Sequence, residues 1–137
     1  MEFRRAAAQD LIRLCALDPR LRSEEGHLRF VRAAILSGHA YTDGPAQAAY
    51  AVMDRGFFER DFVHTLYVHP GQRRQGIGLA LLRFLESASS GRLFTSTNLS
   101  NLPMQALLDR AGYRLSGVVH DLDPSDPELI YSRSLGQ

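Results

Sequence analysis

The chain has 137 residues, 45% of them hydrophobic and 23% charged, with a formal net charge of +1. These values predict one soluble domain over residues 1–137 with a real core, and they exclude nucleic-acid binding by bulk charge. Cys15 is the one cysteine, which rules out an internal disulfide and a cysteine-built metal site. No run is long enough to span a membrane and no signal peptide opens the chain, so the reading is a cytoplasmic protein.

Glu2 to Arg5 reads as a short first strand. Ala6 to Leu17 reads as a helix with Leu11, Ile12, Leu14 and Cys15 on one face, stopped by Pro19. Cys15 is read there as a small core residue. Ser23-Glu24-Glu25-Gly26 can cap a second helix that runs to Leu36. A short strand fits between His39 and Thr42, followed by the turn signal Asp43-Gly44-Pro45. Ala46 to Asp54 reads as a strand, Arg55-Gly56 as its turn, and Phe57 to Val68 as the next strand. The short connections predict an antiparallel meander.

Pro70 ends that strand, since proline removes a ladder donor. Gly71 to Gly78 then forms a glycine- and arginine-rich turn. Leu79 to Glu86 places helix formers and apolar residues at helical spacing behind it. Downstream, Arg92 to Thr97 is a strand, and Pro103 suits the first turn of a helix that ends at Ala111 before Gly112. Tyr113 to Val119 and Leu129 to Ser134 read as a closing strand pair. Between them, Asp121, Asp123, Asp126 and Glu128 alternate with Pro124 and Pro127 in a solvated loop, or in a rim that attracts a cationic amine.

The strand–turn–helix at Leu66 to Glu86 is where the sequence points to chemistry. A helix N-terminus collects free N–H groups and the positive end of the dipole, so it binds anions. Gly76 and Gly78 let the backbone approach a phosphate, and Arg73 and Arg74 add charge-assisted donors. A Walker A loop fails, because Ile77 and Gly78 follow Gly76 where lysine and serine or threonine are needed. A dinucleotide fingerprint fails, because Leu81 stands where its third glycine belongs.

What remains, Arg73-x-x-Gly76-x-Gly78 after Leu66-Tyr67-Val68, resembles the acyl-CoA pyrophosphate loop of the GNAT N-acetyltransferase superfamily. Asn101 followed by Ala106 to Tyr113 resembles the fourth-helix pattern of the same superfamily. The resemblance implies an α/β (α+β) fold: a central mixed, mostly antiparallel sheet of six to seven strands, with four helices on both faces. It also implies a splay at the strand pair flanking the loop. Acetyl-CoA is then the cosubstrate. Its pantetheine arm pairs with the backbone of Leu66, Tyr67 and Val68, and its pyrophosphate sits on Arg73, Arg74, Gln75, Gly76, Ile77 and Gly78. Asn98 and Asn101 are further contacts to the arm.

The partner is a primary amine, on a small molecule or on a peptide, with no metal, nucleic acid or membrane and with a homodimer left open. An ammonium of pKa about 10.4 must lose a proton, so a base near neutrality is useful. His64, four residues ahead of Val68, stands where some members carry glutamate, and an imidazole titrates in the right range. Packing is its bland reading. Glu59 and Asp61 are alternatives that more simply face solvent. The histidines His27, His39, His69 and His120 lack metal spacing. Where the superfamily often has a tyrosine that protonates the thiolate, this chain has Leu108. Tyr131 is the candidate replacement acid, beside unassisted departure. The missing tyrosine also leaves open an acyl-CoA-binding sensor that transfers nothing.

Overall fold

Three features of the sequence set the element boundaries: apolar spacing, capping side chains and the residues able to take a positive φ. In the computed structural model residues 1–136 are described; Gln137, the last residue of the expected domain, lies outside them. The strands are β1 (Phe3–Arg5), β2 (Ala40–Asp43), β3 (Ala49–Phe57), β4 (Arg60–Val68), β5 (Arg92–Asn98), β6 (Arg114–Val119) and β7 (Glu128–Ser134). The α-helices are α1 (Leu11–Leu17), α2 (Arg20–Ser23), α3 (Glu25–Ser37), α4 (Ile77–Ser87) and α5 (Leu102–Arg110).

Among the described residues, seven strands form one hydrogen-bonded sheet in the order β1-β2-β3-β4-β5-β7-β6. The sheet is mixed and mostly antiparallel, as expected. β1–β2, β2–β3, β5–β7 and β6–β7 pair antiparallel, while β4–β5 is parallel. Internal contacts divide the chain into two compact units.

The first unit takes in Met1–Met53 and Thr65–Phe84. Leu14, Leu17, Leu21, Val31, Ile35, Tyr50 and Val52 are buried in its core, and Leu11, Cys15 and Tyr67 pack against them. The expected first helix begins later than its sequence suggests. Ala6 N–H donates to Ala40 O, which keeps the chain extended there. The Asp10 carboxylate then accepts from Ala7 N–H at 2.7 Å and from Arg4 at 2.8 and 3.0 Å, holding a 3-10 turn at Ala8–Asp10 ahead of α1. A one-turn helix, α2, adds a fifth α-helix to the four expected. Asp18 creates it by accepting from Arg20 N–H, past the proline at position 19. Ser23 therefore does not cap α3: its hydroxyl donates back to Pro19 O, and Glu24 is the N-cap, its carboxylate turned to Arg20 and not to the helix end.

The second unit takes in Asp54–His64 and the described residues from Leu85 on. The expected turn at Arg55-Gly56 lies inside β3 instead. The chain reverses at Phe58 and Glu59, both with positive φ (51° and 62°), as a two-residue hairpin requires. The Phe57 ring pins this turn, with ring centroids 4.9 Å from Phe62 and 5.1 Å from Phe94. β5 meets β4 through Phe62↔Phe94 and Val63↔Thr95, and Thr95 Oγ1 donates to Val63 O at 2.9 Å. Asn101 caps α5 by accepting from Met104 N–H at 3.2 Å, and Gly112, with φ of 90°, follows its end as expected.

Candidate active site

In the first unit β4 delivers the chain into the glycine–arginine turn. His69 shapes the entry: its Nδ1 accepts from Gly71 N–H at 2.9 Å, opening a 3-10 turn over Pro70–Gln72. Arg74 and Gly76 then take positive φ, 68° and 79°. At Gly76 this conformation is the reason for the residue, since it turns the chain into α4 with no side chain in the way. Gly76 O accepts the first helical bond, from Ala80 N–H at 2.9 Å. Ile77, Gly78 and Leu79 therefore occupy the first turn, where main-chain N–H groups lack intrahelical acceptors. The Ile77 side chain is buried and anchors that turn, while Arg73, Arg74, Gln75 and Gly76 are exposed.

Arg73 is held from two sides. Its Nε donates to Val68 O at 2.9 Å, and its guanidinium lies over the Tyr67 ring at 5.4 Å. Its two terminal nitrogens make no hydrogen bond or ion pair among the described residues. Leu66, Tyr67 and Val68 are half-buried. Next to the turn, Gln72 Oε1 is buried without a hydrogen-bond partner among the described residues. The sequence offered no reason to single out Gln72, because an orphaned acceptor shows only in three dimensions.

In the second unit His64 has a partner that sequence reading missed. Its Nε2 lies 2.7 Å from Asp54 Oδ1, which also accepts from Gly56 N–H at 2.8 Å. The imidazole packs edge-on against Phe62, with centroids 4.9 Å apart. Its side chain is 27% exposed, so it is neither sealed in a core nor free in water. A ring nitrogen held on the Asp54 carboxylate fixes the orientation of the imidazole. The two alternatives are otherwise engaged: Asp61 accepts from Ser89 Oγ at 2.6 Å, and Glu59 sits in the hairpin turn.

Tyr131 lies on β7 opposite Thr95 on β5 and Leu115 on β6, and is buried. Burial pushes its phenol up from the ordinary value, and the Asp109 charge adds to that. The hydroxyl thus keeps its proton and gives it up less readily than an ordinary phenol. Leu108 is fully buried in α5, so an aliphatic side chain fills the position where a phenol was sought. The Asn98 amide donates to Asp123 Oδ2 at 3.0 Å and Asp126 O at 3.2 Å. Ser100 Oγ donates to Asp126 Oδ2 at 2.6 Å. The acidic loop is thereby tied to the β5–α5 corner, and Asn98 and Asn101 already have structural partners. Among the described residues no group of three or more histidine, cysteine, aspartate or glutamate side chains is placed to hold a metal ion. No helix among them is long and apolar enough to cross a membrane.

The mixed sheet, and the fourth strand that runs through an arginine- and glycine-lined turn into a helix, are the arrangement that the resemblance to the acetyltransferases implies. The family model for the acetyltransferase (GNAT) family matches residues 9–113, and the chain belongs to that family. A search of curated protein sequences finds no match. Among solved structures, a GNAT-family acetyltransferase from Bacillus cereus ATCC 10987 is 27% identical with a TM-score of 0.89, covering 99% of this chain and 98% of that one. The ribosomal-protein-S18-alanine N-acetyltransferase of Escherichia coli is 18% identical with a TM-score of 0.77, covering 99% of this chain and 94% of that one. The NatB acetyltransferase complex bound to CoA and MES is 15% identical with a TM-score of 0.77, covering 99% of this chain and 100% of that one. The latter two likenesses are of fold. Members of the family use acyl-CoA and act on amine acceptors.

Proposed function

We propose that the chain transfers an acetyl group from acetyl-CoA directly to a primary amine, on a small molecule or on a peptide N-terminus or side chain. One observation carries the reading. Arg73 is anchored through its Nε and its π face while its two terminal nitrogens stay unengaged, next to a helix N-terminus opened by Gly76. That is a ready site for a pyrophosphate. Arg74, Gln75, Ile77 and Gly78 complete the cradle with main-chain N–H groups. The pantetheine amides would pair with the backbone of Leu66, Tyr67 and Val68 as an added strand, since β5 engages β4 at Phe62 and Val63, earlier along the strand. Gln72 Oε1 is an acceptor suited to a donor on the CoA. Asn98 and Asn101 would meet the arm only through groups that their present hydrogen bonds leave over.

His64 is the base in this reading, acting directly or through one water, with Asp54 as the residue that orients it. The amine attacks the thioester carbonyl, the C–S bond breaks, and the thiolate leaves. A thiolate whose acid has a pKa of about 8.5 is a tolerable leaving group, so departure needs no phenol at Leu108. Holding amine and thioester together supplies much of the acceleration.

The test is release of free thiol from acetyl-CoA against a panel of small amines and peptides, with the acetylated product identified by mass. Turnover with at least one amine is the expected result. A second reading, an acyl-CoA sensor, is favoured by the buried Leu108 alone. Saturable acetyl-CoA binding with no thiol release across the panel would establish the sensor and reject the transferase.

A further inference from the structure

Inside the first unit three polar side chains from separate elements meet in the core. Tyr50 on β3 donates its hydroxyl to Asp18 Oδ2 at 2.6 Å, and His27 Nε2 on α3 lies 3.1 Å from the same hydroxyl. Asp18 is 1% exposed, Tyr50 0%, and the His27 side chain 8%. Asp18, between α1 and α2, also holds α2 through Arg20 N–H at 3.0 Å. The single phenolic proton of Tyr50 is directed at Asp18, so the contact with His27 is completed by the tautomer that carries its proton on Nε2 and donates to the Tyr50 oxygen. Burial pushes the Tyr50 phenol far above its ordinary value, and burial together with Arg20 pushes the His27 imidazole below its own. Burial thus favours the uncharged forms of the Tyr50 phenol and the His27 imidazole.

Burying such a group is costly, and apolar side chains of the same volume would fill a core at least as well. What the network provides is a fixed ring. Tyr50 packs on Tyr67 with centroids 6.1 Å apart, and Tyr67 is the platform under Arg73. The contacts are continuous from Asp18 and His27, through the two tyrosine rings, to the arginine of the turn.

We infer that Asp18, His27 and Tyr50 are positioning residues for the phosphate-binding turn, fixing the Tyr67 ring and through it the guanidinium of Arg73. The inference rests on the reading of Arg73 as a pyrophosphate ligand. Without the hydroxyl, the Tyr50 ring is no longer tethered, Tyr67 can tilt, and Arg73 loses its flat support. The turn itself, set by Gly76 and Ile77, remains.

The experiment is a double-mutant cycle on acetyl-CoA affinity, measured by titration calorimetry. Tyr50→Phe keeps the ring and removes the tether; it is expected to weaken binding roughly three- to tenfold. In the Arg73→Ala background the same change is expected to weaken it less than about twofold, because the group it positions is gone. The Arg73 Nε–H resonance, read without ligand, should shift in Tyr50→Phe as its place on the ring changes. Equal factors in the two backgrounds, or no effect of Tyr50→Phe on wild-type affinity and resonance, would show the network to be packing only. Should Tyr50→Phe fail to fold, Tyr67→Leu in its place is expected to show the same coupling with Arg73→Ala, and additivity there overturns the inference. A shifted Arg73 resonance in Tyr50→Phe, beside a wild type that binds no acetyl-CoA, would reject the ligand reading while leaving the positioning contact intact.

Discussion

The glycine–arginine turn before α4 and the His64–Asp54 pair are built on opposite plans. The turn is made of consecutive residues, Gly71 to Gly78, and most of what it offers is main chain: a positive φ at Gly76 and the opening N–H groups of α4. The pair is made of two side chains ten residues apart, brought within 2.7 Å by a hairpin that reverses at Phe58 and Glu59. A main-chain site tolerates most side-chain changes and fails when its backbone is blocked. A side-chain site fails at a single atom. Binding and turnover should therefore separate cleanly under mutation.

The largest separation is expected at His64. His64→Ala should lower turnover by about 10²-fold or more while acetyl-CoA affinity stays near wild type. Steady-state kinetics beside a binding titration check it, and equal turnover would return His64 to packing. Asp54→Asn keeps the shape and removes the charge from a partly exposed pair, so a loss of at most about fivefold is expected.

Changes in stability come next. Leu108→Tyr places a phenol in filled space, and overpacking of this kind costs about 1–3 kcal/mol. Denaturant unfolding should show that loss with no gain in turnover; a more active variant would mean that the α5 position still reaches the sulfur. Asn101→Ala removes the α5 cap and should cost about 1 kcal/mol with little change in CoA affinity. A large affinity loss there would instead make Asn101 a ligand of the arm. The smallest effect is expected at Tyr131. Tyr131→Phe should retain most activity, and a loss of about 10²-fold would identify it as the replacement acid.

The same contrast explains what could be read in advance. The turn was legible because its determinants are local: Pro70 ends a strand, Arg73, Gly76 and Gly78 follow in order, and Leu79 onward is helical. Most of the succession of strands and helices along the chain was legible for similar reasons, whereas Asn101 was read as a contact to the CoA arm and its capping of α5 shows only in three dimensions. Asp54 was not legible as the partner of His64, because the expected turn at Arg55-Gly56 puts the reversal directly after it. The real turn uses Phe58 and Glu59, neither of them a customary positive-φ residue, and it is held there by Phe57 packing on Phe62 and Phe94. The one-turn helix α2 escaped notice because its determinant, Asp18 bonding to Arg20 N–H, sits across a proline that normally signals an end. The Asp18–Tyr50–His27 contact joins three distant elements, and no spacing rule brings them together.

The central claim is that acetyl-CoA binds on the turn before α4, and Gly76→Asp tests it most directly. Aspartate tolerates positive φ better than most residues, and a Cβ at Gly76 meets nothing within 4 Å, so the fold should survive. Its carboxylate then opposes the pyrophosphate. The measurement is the thermal midpoint of each protein with and without acetyl-CoA. At about 100 times the dissociation constant the ligand should stabilise wild type by about 2.7 kcal/mol, and Gly76→Asp by far less. An equal ligand-induced rise in both proteins would contradict the assignment.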